Sequence, residues 1–173
     1  QQHEFGKAVT TLEHITRVDP ANVDAHYRLI TIYEVQGKNS EAAAHYRVLL
    51  DLLGPNTLLS MKLADLHLKN RSFDKAVDVL SQARGSDPNN IFVLEALAQA
   101  YVLNKEIPKA IGTYETLSEL QESDYLVFVR IGSLSLQSGN YDKALNAFKK
   151  ADHLGAPNGA EIQRSIGFAL NQL

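Results

Sequence analysis

Six histidines, His3, His14, His26, His45, His67 and His153, are the side chains of this 173-residue sequence best suited to proton transfer or metal ligation. No pair of them has metal spacing on one helical face. His67 stands midway between Tyr33 and Tyr101, so it reads as a packing histidine, buried or half-buried, and the others read likewise. The absence of Cys removes thiolate ligands, disulfides and thiol nucleophiles together. There is no phosphate-cradling glycine loop and no Ser/His/Asp grouping, so no cofactor, metal or catalytic activity is expected. One charged series does recur: Arg28, Lys62, Arg130 and Arg164, interrupted at Ala96. Such a row could take acidic side chains or a carboxylate. It reads equally as solvated charges partnered by Glu34, Asp65 or Glu95.

A periodic helical framework must position these residues. SFDKAVDVL, from Ser72 to Leu80, returns further along the chain as NYDKALNAF, from Asn140 to Phe148. Ala110 lies midway between Ala76 and Ala144, and equal steps back from Ala76 reach Ala42 and Ala8. Five alanines therefore share one constant interval, the mark of an internal repeat. Four places after each stands Leu12, Tyr46, Leu80, Tyr114 or Phe148; seven after, Ile15, Leu49, Ala83, Leu117 or Ala151. Three before come Phe5, Asn39, Phe73, Ile107 and Tyr141. Offsets of three, four and seven describe one stripe of a helix. A second helical stripe precedes each of the last four alanines, through Leu29, Leu63, Leu97 and Ile131, then Ile30, Ala64, Ala98 and Gly132. Gly, Pro, Asn and Ser clusters such as QGKNS (36–40) and SDPNN (86–90) separate the stripes. The unit is helix, tight turn, helix, turn. Alanine suits the place where two helices approach most closely, and a large residue four positions on fills the space beside it.

Length, register and proline placement together resemble the tetratricopeptide repeat family, over essentially the whole chain. Pro20 and Pro88 match the family's terminal proline, Pro55 and Pro157 are displaced by one, and Gly54 and Glu122 depart from it. The family's first-helix tryptophan is replaced by His26, Ser60, Leu94 and Phe128. The resemblance implies an all-α solenoid of helix-turn-helix units forming a right-handed superhelix, with first helices lining its concave side. Full units are expected at 23–56, 57–90, 91–124 and 125–158. Residues 1–22 would supply a lone second helix, and 159–173 a terminal first helix or cap. That lone helix, and a start at Gln1 rather than Met, suggest a piece of a longer protein.

At 100° per residue, first helices packing through one face present the opposite face to the groove. The candidate contacts are Tyr27, Arg28, Leu58, Met61, Lys62, Asp65, Phe92, Glu95, Gln99, Leu126, Val129 and Arg130. An apolar strip runs among them from Leu58 to Leu136, through Leu68, Val102 and Leu103, and invites a peptide or amphipathic helix. Tyr27, Thr31, Met61 and Asp65 occupy the places where one branch of the family carries a Lys/Asn clamp for chaperone tails, so that clamp is absent. A groove ladder of asparagines, seen in a sugar-transferring branch, is missing too. The net charge of −3 argues against nucleic acid, and no apolar run is long enough to cross a bilayer. The leading expectation is a non-enzymatic protein-interaction scaffold. The alternatives are a structural or self-associating spacer, with terminal-helix contacts around Phe168, and a part in bacterial envelope, secretion or exopolysaccharide-export machinery. Bacterial cytoplasm and periplasm are both compatible with the composition.

Overall fold

The computed structural model describes residues 2–157 and 159–173, with side chains from residue 6 onward, so Phe5 and His3 lie outside the described side chains. The described residues form ten helices: α1 (Gln2–Val18), α2 (Val23–Val35), α3 (Asn39–Leu53), α4 (Thr57–Lys69), α5 (Phe73–Ser86), α6 (Ile91–Leu103), α7 (Ile107–Leu120), α8 (Tyr125–Gln137), α9 (Tyr141–His153) and α10 (Gly159–Gln172). They fall into two compact units, Gln1–Asp87 with α1 to α5 and Pro88–Leu173 with α6 to α10.

Helix starts follow the repeat. Asn22, Asn56 and Asn90 each accept a hydrogen bond from the backbone N–H three residues on, and Asp124 accepts one from Leu126 N–H. Each side chain satisfies a donor that the first turn cannot, worth about 1 kcal/mol. The tight turns repeat as closely. Lys38, Ser72, Glu106 and Asn140 donate backbone N–H bonds of 2.8–2.9 Å to the carbonyls of Tyr33, His67, Tyr101 and Ser135. This six-to-one closure needs a left-handed residue just before the donor. That residue is Gly37 or Gly139 in two turns, but Arg71 (φ 57°) and Lys105 (φ 62°) in the others.

In the first unit each helix packs on the next from α1 to α5. Ala42 and Ala76 are 0% exposed, among fully buried Leu29, Leu49, Leu63 and Leu80. Ala8, on α1, is only half-buried. In the second unit, packing likewise runs from α6 to α10. One core gathers Leu94, Ala98, Ala110, Tyr114, Leu117 and Ile131; another gathers Ala144, Phe148, Ala151, Ile162 and Ile166. Ala110 and Ala144 are also 0% exposed. A Cβ added at Gly132 would lie 2.9 Å from the Phe148 ring, so this crossing requires the absence of a side chain.

Candidate functional site

In the first unit, the faces of α2 and α4 that carry the core stripe are buried, which turns Tyr27, Arg28, Lys62 and Asp65 outward. Leu58 opens α4 at 67% exposure, and Met61 one turn on is half-buried. The Arg28 guanidinium donates to Asp24 at 2.6 Å, and Lys69 pairs with Asp65 at 2.7 Å. Of the basic row, Arg28 alone has an acidic partner among the described residues, Asp24 of its own helix; Asp65 is taken by Lys69, and Glu34 accepts a 3.0 Å bond from the Tyr46 hydroxyl. Lys62 has no ion pair among the described residues.

In the second unit, Phe92, Glu95 and Gln99 stand exposed on α6, and Leu126 and Arg130 on α8. Phe92 is 63% exposed and Leu126 54%. The apolar strip is thinner than its sequence suggests. Val102 rests against one core of this unit, and Val129 and Leu136 against the other. Beside α8 a cavity of about 250 Å³ is lined by Leu126, Val129, Pro157, Ile162 and Ser165 among others. Arg164 turns its Nε toward the Ala160 carbonyl of its own helix, at 3.3 Å. Phe168 is exposed, with its ring edge-on to Tyr141 at 6.4 Å between centroids.

The histidine expectation holds for His26, His45 and His67, which are buried or half-buried, but not for His14 and His153, which are exposed; two of the packed ones also meet. Sequence spacing considers one helix at a time, whereas α2 and α3 bring His26 and His45 together with their Nδ1 atoms 2.9 Å apart. His26 Nε2 lies 3.0 Å from the Pro20 carbonyl, which only accepts, so Nε2 carries the proton. His26 Nδ1 then accepts from His45 Nδ1–H. The His45 ring stacks on Tyr33 at 5.7 Å, and the Tyr33 hydroxyl donates to Glu13 at 2.7 Å. Burial, then the neighbouring His26, holds His45 below the usual histidine pKa despite Glu13. Burial and the Glu13 bond push Tyr33 up to about 12. Among the described residues no three His, Asp or Glu side chains gather to hold a metal ion. The pair is a packing contact joined by one hydrogen bond between ring nitrogens. His67, as expected, is half-buried.

Comparison with known proteins agrees with this architecture. Family models described as tetratricopeptide repeat match residues 1–56, 61–125 and 126–153. Tetratricopeptide repeat protein 21A of Mus musculus is 26% identical over 146 residues, 83% of this chain and 11% of its own length. Anaphase-promoting complex subunit 3 of Schizosaccharomyces pombe is 23% identical over 163 residues, 94% of this chain and 24% of its own length. This chain thus spans a quarter or less of either curated relative. Among solved structures, a MamA structure (AMB-1) superposes with a TM-score of 0.70 at 22% identity, covering 89% of this chain and 84% of that one. YrrB, a TPR protein with an unusual peptide-binding site, gives 0.68 at 17% identity, covering 98% and 84%. On these matches and its all-α helix-turn-helix architecture, of the α-solenoid class, this chain belongs to the tetratricopeptide repeat family.

Proposed function

We propose that this protein is a non-enzymatic interaction scaffold that binds a peptide or amphipathic helix of another protein on the outward faces of its first helices. The observation that carries the reading is a row of large apolar side chains at one position of the repeat. Leu58, Phe92 and Leu126 hold the same place in three successive units, and each is more than half exposed at the start of its helix. Isolated exposed apolar residues are ordinary, whereas recurrence at a fixed place in the unit gives each compact unit its own apolar anchor beside charged neighbours. In the first unit those neighbours are Tyr27, Arg28, Met61, Lys62 and Asp65; in the second, Glu95, Gln99, Val129 and Arg130. In this reading the repeat units are 23–56, 57–90, 91–124 and 125–158, with partial units over 1–22 and 159–173. That YrrB, a structural neighbour, is a TPR protein with an unusual peptide-binding site supports a peptide as the ligand.

The test is selection of helical peptides from a displayed library on the wild-type protein, then binding to Leu58→Glu and to Phe92→Glu with Leu126→Glu. All three residues lie on the surface, so melting temperatures should hold. Affinity should fall at least tenfold in the variant of whichever unit the peptide uses. Wild-type affinity in both variants would sink the proposal. A second reading, self-association through α10, draws on the exposure of Phe168, Leu170 and Leu173. It requires a concentration-dependent mass in light scattering that Phe168→Glu abolishes.

A further inference from the structure

The second helices of the first unit carry a feature unrelated to the apolar row. Between α3, the end of α4 and the start of α5 lies a cavity of about 620 Å³. Ser40, Ala44 and Arg47 line it from α3, at helical spacing, and so share one face. His67 lines it from the end of α4, Asn70 and Ser72 from the turn that follows, and Lys75 and Asp78 from α5. Ala43 completes the lining.

The chemistry of these walls is uneven. They offer a guanidinium, an ammonium, an imidazole, two hydroxyls and a carboxamide, against a single carboxylate. Neither Arg47 nor Lys75 forms an ion pair among the described residues. Arg47 makes only a long 3.4 Å hydrogen bond to Gln82, and Asn70 donates to Ser40 at 3.2 Å. His67 faces Lys75, Asp74 and Asp78 from α5 and Arg47 from α3. Burial and then the positive Lys75 and Arg47 hold it below the ordinary histidine pKa, with Asp74 opposing. Two cations without an ion pair thus share the walls with a half-buried imidazole and with Asp78, in a concavity of the size that takes small ligands.

We propose that this cavity binds a phosphate monoester, with Arg47 and Lys75 as its charge partners and His67, Ser40, Ser72 and Asn70 as further donors. A carboxylate would occupy two or three donors on one side. A phosphoryl group presents three strong acceptor oxygens and close to two negative charges, which suits donors arriving from three helices. Asp78 is placed to accept from a hydroxyl on the remainder of the ligand. The phosphate could be carried by a small metabolite or by a phosphorylated side chain of another protein.

Nuclear magnetic resonance titration separates these sources. The probes are inorganic phosphate, a hexose phosphate, a phosphoserine peptide and the same peptide with glutamate. The expected result is a shift of the His67 ring resonances, with its ionisation moved upward by the bound anion. Arg47→Ala and Lys75→Ala should each weaken binding about tenfold or more, with unchanged melting temperatures. Lys75→Arg should retain most of the affinity. A phosphopeptide that binds far more tightly than the hexose phosphate assigns the site to a protein partner, and the reverse assigns it to a metabolite. The proposal is overturned if no phosphate probe shifts His67, if binding survives both alanine variants, or if the glutamate peptide binds as tightly as the best phosphate probe. None of these variants touches Leu58, Phe92 or Leu126, so failure here leaves the peptide-binding reading to its own test.

Discussion

Ser135 occupies the position held by Tyr33, His67 and Tyr101 in the preceding repeats. Its hydroxyl is fully buried and finds no hydrogen-bond partner among the described residues. A hydroxyl desolvated without a partner costs on the order of 1–3 kcal/mol. Ser135→Ala removes that cost, improves helix propensity and keeps the volume. We expect a gain of about 1 kcal/mol in chemical denaturation; a loss would mean that the hydroxyl is satisfied in solution. Its lack of a partner was not legible in the sequence, because it depends on what neighbouring helices present. The same holds for the contact between His26 and His45, which lie on different helices. The outward direction of Tyr27, Lys62, Phe92 and Arg130 was legible, since helical phase alone sets it.

Helix pairs meet where a small residue faces a large one, and α8 on α9 takes this furthest. Gly132→Ala would set a methyl 2.9 Å from the buried Phe148 ring. The gain in helix propensity, about 1 kcal/mol, opposes an overpacking cost of roughly 1–3 kcal/mol, so a net loss is expected. Phe148→Leu in the Gly132→Ala background should be less harmful than Phe148→Leu alone, and a double-mutant cycle measures that coupling. The turns supply a second prediction. Arg71 adopts the left-handed conformation that Gly37 and Gly139 adopt at equivalent positions. Arg71→Gly relieves a strain of roughly 1–2 kcal/mol while adding unfolded-chain entropy, so the thermal midpoint should rise slightly or hold. A clear fall would show that the arginine side chain stabilises the turn. Helix phase and the alanine spacing were readable because they are local and periodic. The Asn22, Asn56, Asn90 and Asp124 caps share that period and were equally available in the sequence. The cavity beside Arg47, by contrast, needs three helices in place before it exists.

At the scale of the molecule, titration acts most clearly on the first unit. His45 and His67 are both held below the ordinary value near 6.5, each chiefly by burial. Between those lowered values and about 6.5 the unfolded chain binds more protons than the folded one. The neutral-histidine contribution to stability is therefore full above about pH 6.5 and is lost as pH falls through the folded values. Urea midpoints should decline from neutral pH toward about pH 5. Replacing His45 and His67 with Asn should flatten that decline, and an unchanged slope would assign it to carboxylates instead.

Constant spacing also governs which changes of length the chain can absorb. One residue inserted inside a helix turns everything beyond it by about 100° and swaps buried for exposed faces. Insertion or loss of one whole helix-turn-helix block leaves each surviving interface with its proper neighbour. Unequal recombination can therefore lengthen or shorten such a gene in whole repeats, while small frame-preserving insertions are tolerated chiefly at the turns.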